Sequence, residues 1–298
     1  MEAPERPQGS IERRRPKPCH ASLGTILYGS DGRSSSWDDA FRLYRWERYP
    51  GTLIFDTADW ETQAALFKRL AFFVEKRGFA GTLLSQAELV GRYGWNAHNY
   101  HPGDLARFFT RAQDEEVDLT GLEMELRQLL LQEGLIAEAG GKYTAGSGGV
   151  LSVSRASSPA LRELLLVHEA LHGIFYAVPA FRHAVEREWD GLSEAERTFW
   201  RFLLGVMGYN PEDAYLMQNE FQAYLLQQEP QAVHGYFRTR LIPRLKRWYP
   251  EREDYIDRFL AAYPATFKES AHRLSKRLFD HTGRAAGRLV ACDPTQME

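Results

Sequence analysis

PALRELLLVHEALHGIFYAV, residues 159–178, carries His168-Glu169-Ala170-Leu171-His172 inside an apolar run from Leu161 to Tyr176. On a helix, residues four apart lie one above the other. His168 and His172 therefore present both imidazoles on one face, with Glu169 about 100° round the axis. Two neutral imidazoles suit a zinc ion. A third protein ligand completes the set, and a neighbouring carboxylate is then placed to deprotonate a water in an open fourth position. The flanks ask for a helix: Ser157 or Ser158 serves as N-cap, Pro159 suits the first turn, and Gly173 and Pro179 bracket the exit.

A third ligand is expected in NPEDAYLMQNEFQAYLLQQEP, residues 210–230. Here Asn210 reads as the cap, Pro211 as a first-turn residue, Glu212 and Asp213 as complements to the helix dipole, and Pro230 as the end. Leu216, Glu220 and Tyr224, four apart, set a carboxylate among apolar neighbours, which is costly unless a cation or donors meet it. A metal ion would be that cation; an arginine or plain solvent would serve Glu220 equally well.

His168-Glu169-x-x-His172, followed downstream by Asn219-Glu220-x-x-Ala223-Tyr224, resembles the zincin metallopeptidases of the gluzincin type. The resemblance covers residues 148–230. It implies a zincin-like core, one zinc per chain held by His168, His172 and Glu220, Glu169 as general base, and a peptide or protein as substrate. Tyr224 stands where several gluzincin families place an Asp that orients a ligand. Tyr224 is also a candidate donor to a developing oxyanion, as are Tyr176, Tyr209, Tyr215 and His183, although each fits plain packing as well. Upstream, Gly148–Arg155 alternates Val150, Ser152 and Ser154 against Leu151 and Val153, a strand pattern. In zincins the edge strand beside the active-site helix takes an extended peptide, and this segment is placed to be that edge or an ordinary sheet strand.

The remaining chain frames this core. With 298 residues and 44% hydrophobic content it can bury a sizeable core. Net charge −3 gives no general attraction to nucleic acid or anionic membrane, and no apolar run reaches the length of a spanning helix. Cys19 and Cys292, near opposite ends, make no disulfide framework. Residues 1–22 are rich in Pro and charge, with Arg13-Arg14-Arg15, and read as a disordered basic tail. No apolar segment follows that run, so the cytoplasm is the default compartment; a leader removed upstream would leave the same sequence, which keeps export open.

Between residues 23 and 147 a small α/β region is expected. Thr25–Tyr28 and Thr52–Phe55 read as strands around a loop at Ser30–Ser36, followed by a helix from Asp56 to Gly78. Residues 104–140 read as two helices, with a turn at Gly140-Gly141 leading to a wing. Asp114, Glu115, Glu116, Asp118, Glu123 and Glu125 would repel phosphates there, so a nucleic-acid reader is not expected. His98 and His101, three apart beside Trp95 and Tyr100, offer either a metal pair or a cleft lining. Residues 231–298 form a basic helical region, with 13 Lys and Arg against 6 Asp and Glu over 231–290, a surface suited to an acidic partner or substrate.

The sequence thus predicts a mainly helical α+β protein with a zincin-like core at 148–230, acting as a zinc-dependent peptidase without a membrane span. Two other functions fit the same residues: a zinc-containing module that binds peptides or proteins without cutting them, and a metal-free helical scaffold.

Overall fold

Strands that alternate apolar and polar residues need not face water on one side, and the two central strands of this protein do not. The computed structural model describes residues 17–29 and 40–288. The basic run at Arg13–Arg15, the Ser30–Ser36 loop and Cys292 lie outside the described residues.

In chain order the elements are β1 (Cys19–Ala21), α1 (Leu23–Tyr28), β2 (Phe41–Trp46), β3 (Thr52–Thr57), α2 (Trp60–Val74), α3 (Gln86–Leu89) and β4 (Ala97–Tyr100). Next come α4 (Pro102–Asp114), α5 (Gly121–Gln132), the hairpin β5 (Ile136–Ala139) and β6 (Lys142–Ala145), then β7 (Gly149–Ser154) and α6 (Pro159–Ala177). The helices α7 (Pro179–Asp190), α8 (Glu194–Val206), α9 (Ala214–Leu226), α10 (Pro230–Tyr236), α11 (Ile242–Trp248), α12 (Glu253–Ala262) and α13 (Thr266–Thr282) complete the described chain. The fold is α+β and mainly helical around a five-stranded mixed sheet ordered β1-β2-β3-β7-β4. β3 and β7 run parallel, and β4 runs antiparallel to β7 at the sheet's end.

Both faces of this sheet are covered. Ile54, Leu151, Val153 and Ala97 point to a core shared with α6 and the later helices, while Leu53, Phe55, Val150 and Tyr100 point to a second core under α2, α4 and α5. Ser152, on that second face, is buried and receives a hydrogen bond from Gln63 Nε2 at 2.7 Å. The polar alternation of β7 therefore marks an internal partner rather than a solvent side. β7 is also an interior strand. The edge next to α6 is β4, which corrects the expectation that Gly148–Arg155 might be the peptide-accepting edge.

Other local readings shift for identifiable reasons. Thr25–Tyr28 is helical, because Ser22 caps α1 by accepting from Thr25 N at 3.1 Å and Gly29 closes it at φ +64°. Within the span read as a tail, Cys19–Ala21 pairs with β2. Asp56 and Thr57 stay in β3, and α2 starts at Trp60 under the Asp59 cap; Asp56 is buried and taken by Arg155 and Arg162. Asp213, not Asn210, caps α9, with Leu216 N donating to Asp213 Oδ1 at 3.0 Å. Ser158 is the N-cap of α6 by position, without a side-chain hydrogen bond, and Pro159 opens the helix.

Gly173 does not end α6, which runs on to Ala177. A Cβ at Gly173 would sit 2.9 Å from Trp46 Cζ3 and 3.2 Å from Leu151 Cδ1. The missing Cβ lets α6 pack closely on Trp46 and on Leu151 of the sheet. The α4–α5–hairpin unit has the expected wing, turning through Gly140 and Gly141 with φ of 59° and 73°. The sheet takes strands from both sides of residue 147, so the N-terminal region and the core share one framework.

Candidate metal centre

α6 and α9 cross so that His168, His172 and Glu220 offer three ligand atoms, all within 4.8 Å of one another. His168 Nε2 lies 3.4 Å from Glu220 Oε2, and His172 Nε2 lies 3.6 Å from Glu220 Oε1. The two imidazoles meet edge to face with centroids 4.8 Å apart, the packing that four-residue spacing dictates. All three residues are buried, and they form the one such group among the described residues. Burial makes unpaired polar atoms expensive. Yet neither ring nitrogen of His172, nor Glu220 Oε2, has a hydrogen-bond partner among the described residues. Two imidazole nitrogens and a carboxylate oxygen converging, with the His172 nitrogen and Glu220 Oε2 lacking such a partner, are the donor set of a zinc site, so the residues present fit that ion.

The surrounding side chains fix these groups. Gln227, at the C-cap of α9, accepts at Oε1 from His168 Nδ1 at 3.0 Å, while its Nε2 donates to the Tyr236 hydroxyl at 3.2 Å. The amide is thereby oriented. His168 must carry its proton on Nδ1, leaving Nε2 as the bare nitrogen facing Glu220.

Glu169 is held separately. A single-direction chain of donors runs from Gln222 Nε2 to Asn219 Oδ1 at 3.3 Å, then from Asn219 Nδ2 to the Tyr176 hydroxyl at 3.2 Å. It continues from Tyr176 to Asn99 Oδ1, and from Asn99 Nδ2 to Glu169 Oε2 at 3.1 Å. Every link points its proton toward the Glu169 carboxylate. Asn99 comes from the edge strand β4, opposite Leu151 and on the α6 face of the sheet.

Electrostatics follow burial. Desolvation pushes the Glu169 carboxyl up to about 8; Glu220 adds to this, and His168 and the Asn99 amide oppose it. Desolvation also raises Glu220 against the pull of His168. It drives His172 well down, with the neighbouring His168 charge acting in the same sense. Desolvation lowers His168 too, but the pull of the Glu220 and Glu169 carboxylates and of Gln227 outweighs it, so this imidazole is raised. A divalent cation would reverse the sense for the carboxylates, and the neutral imidazoles that burial favours are the ligating form.

No protein-family model matches the sequence, and neither the curated proteins nor the solved structures give a match. The site's interpretation therefore rests on its own geometry.

The other candidates fall at different distances from it. Tyr224 stacks edge-on against His168 with centroids 4.9 Å apart, and its hydroxyl, like that of Tyr209, faces the Glu220 side. Tyr176 serves the Asn99 chain, and Tyr215 packs on Phe175 and His101. His183 is exposed on α7. His98 and His101 do not pair as ligands. His98 is buried on the opposite sheet face, within 3.0 Å of the Tyr100 hydroxyl and 3.8 Å of Glu75. His101 caps α4 and, with Arg107, Arg182 and Tyr215, lines a cleft of about 1290 Å³.

Gln227 and Asn99 are the residues that sequence reading missed. Gln227 lies seven positions after Glu220, two turns along the same helix face, so periodicity could have found it. Asn99 gave no signal, since only the sheet brings it to α6. Among the described residues no single helix is long and apolar enough to cross a membrane.

Proposed function

We propose that this chain is a zinc-dependent hydrolase of peptide bonds built on a zincin-like core. The observation that carries the reading is the convergence of three buried ligand atoms within 4.8 Å, those of His172 and Glu220 Oε2 without a hydrogen-bond partner among the described residues, beside a second buried carboxylate with its own support. His168, His172 and Glu220 would hold the ion. Zinc bound there would lower the pKa of a water and polarise the scissile carbonyl.

Glu169 takes the proton from the attacking water and delivers it to the leaving nitrogen, with Asn99 keeping its carboxylate turned to that task. Gln227 holds His168 in the ligating tautomer. The β4 edge, antiparallel to β7 and carrying Asn99 toward α6, supports entry of an extended peptide by strand addition. Tyr224 and Tyr209 stand nearest as donors to an oxyanion.

The test begins with elemental mass spectrometry on protein purified without chelator or affinity tag. About one zinc per chain, lost in His168→Ala and in Glu220→Ala, is expected. Glu169→Gln should keep the zinc and lose roughly 10²- to 10⁴-fold in turnover against a peptide library. A wild type that takes up no zinc, or a Glu169→Gln variant as fast as wild type, refutes the reading.

Deep burial favours one alternative, a zinc that only braces α6 against α9. His168 is 6% exposed, Glu169 4%, Glu220 1% and His172 0%. In that case a hydroxamate probe would fail to reach the bound zinc, because no coordination position would be open.

A further inference from the structure

His168, Glu169, His172 and Glu220 are all buried, yet a hydrolytic zinc needs water and substrate to reach it. Some element around them has to move. α6 and α9 are packed on apolar faces, and β4 is paired along its whole length with β7. The segment that carries Tyr209 is held differently.

Tyr209 pairs with Lys76 as an isolated antiparallel bridge outside the sheet. Two backbone hydrogen bonds close it, Arg77 N donating to Gly208 O and Asn210 N to Glu75 O, each at 2.9 Å. Trp95 clasps both partners: its ring centre lies 3.2 Å from the Lys76 ammonium, and its ring stacks on that of Tyr209 with centroids 5.3 Å apart. The clasp is not fully satisfied. Trp95 Nε1 is buried without a hydrogen-bond partner among the described residues. Gly208, at φ +100°, turns the chain from the end of α8 into the bridge.

The bridge divides two spaces. On one side Tyr209 is buried in the core that α6 and α9 share, its hydroxyl facing the Glu220 carboxylate and Tyr224, which packs on the His168 ring at 4.9 Å. On the other side Val74 and Asn210, flanking the bridge in its two segments, line the cleft of about 1290 Å³ that also takes in His101. Consecutive side chains of an extended segment point to opposite faces. Tyr209 turned to the metal centre and Asn210 turned to the cleft are what a segment running between the two presents. His101 in turn lies two residues beyond Asn99, the partner of Glu169.

Resting on the zinc-hydrolase reading, we infer that the Lys76–Tyr209 bridge is a gate between this cleft and the metal centre, and that a peptide held in the cleft reaches the zinc only when the bridge parts. Two backbone hydrogen bonds and one aromatic clasp can open locally while the helices stay packed.

The geometry of the bridge supplies its own lock. A non-hydrogen-bonded antiparallel pair brings its Cα atoms to about 4.5 Å, within the span of a disulfide. Lys76→Cys with Tyr209→Cys, made in a Cys19→Ser and Cys292→Ser background, is therefore closed by oxidation and released by reduction. A chromophoric chelator reads zinc release, and zinc added to the apoprotein reads uptake. Oxidation should slow both by about tenfold or more and leave their ratio, the dissociation constant, unchanged. Peptide cleavage should stop on oxidation and return on reduction. Trp95→Ala removes the clasp without needing a disulfide, and should speed release and uptake several-fold.

Zinc that exchanges equally fast in the oxidised, reduced and Trp95→Ala proteins overturns the gate and leaves the zinc site standing. Release slowed by oxidation with uptake unchanged means that the cross-link only stiffens the site, and also overturns it. A protein that takes up no zinc in either redox form refutes the zinc reading, and the gate falls with it.

Discussion

Replacing Gln227 with Leu isolates the side-chain hydrogen bond that holds His168 Nδ1. The Gln227 amide supplies the partner of His168 Nδ1 at 3.0 Å, and His168 is only 6% exposed, so solvent has little room to replace it. Losing the hydrogen bond costs about 0.5–1.5 kcal/mol, and leaving a buried N–H unsatisfied costs about 1–3 kcal/mol. With the ring free to rotate or change tautomer, zinc affinity should fall by about 10- to 100-fold, equivalent to about 1.4–2.7 kcal/mol. Gln227→Glu keeps an acceptor and makes it anionic, so it should hold zinc at least as tightly as the wild type. Competition against a chromophoric chelator gives all three dissociation constants, and circular dichroism checks that each variant is folded. An unchanged Kd for Gln227→Leu would refute the assignment of His168 Nε2 as an oriented ligand.

Two further outcomes follow from packing and charge. Gly173→Ala gains about 1 kcal/mol in helix propensity, yet its Cβ would meet Trp46 at 2.9 Å. A net destabilisation of about 1–3 kcal/mol by urea unfolding is expected, and a stabilised variant would mean that the Trp46 ring gives way. Lys76 holds its ammonium 3.2 Å from the Trp95 ring centre, and burial pushes its pKa down to about 8 from 10.5. The folded state thus releases this proton before the unfolded state does, so the wild type gains stability relative to Lys76→Met as pH rises from about 8 to about 10.5. Urea midpoints measured at both ends of that window check this; the opposite trend would mean that the ring's attraction for the cation outweighs desolvation.

Part of this protein was determined by its sequence alone. His168, Glu169 and His172 declare their face by spacing, since a helix repeats every 3.6 residues whatever surrounds it. The stripe through Glu220 flagged a buried carboxylate for the same reason. Where short segments compete, local pattern was insufficient: Thr25–Tyr28 has a strand's composition, but the Ser22 and Gly29 caps and a seat against the core make it helical. The alternation in β7 implied a half-exposed strand, and only Gln63 arriving from α2 turned its polar side into an interior one.

Tertiary structure decided what no periodicity encodes. It placed β4 instead of β7 at the sheet's end, since pairing order depends on which loops can close and which faces are covered. It carried Asn99, 70 residues away in the chain, to Glu169. It also paired Lys246 with Glu253 and Asp257 while leaving Arg240 and Arg244 without an ion pair among the described residues. Composition recorded their charge; which charges find a partner is settled only when the helices pack.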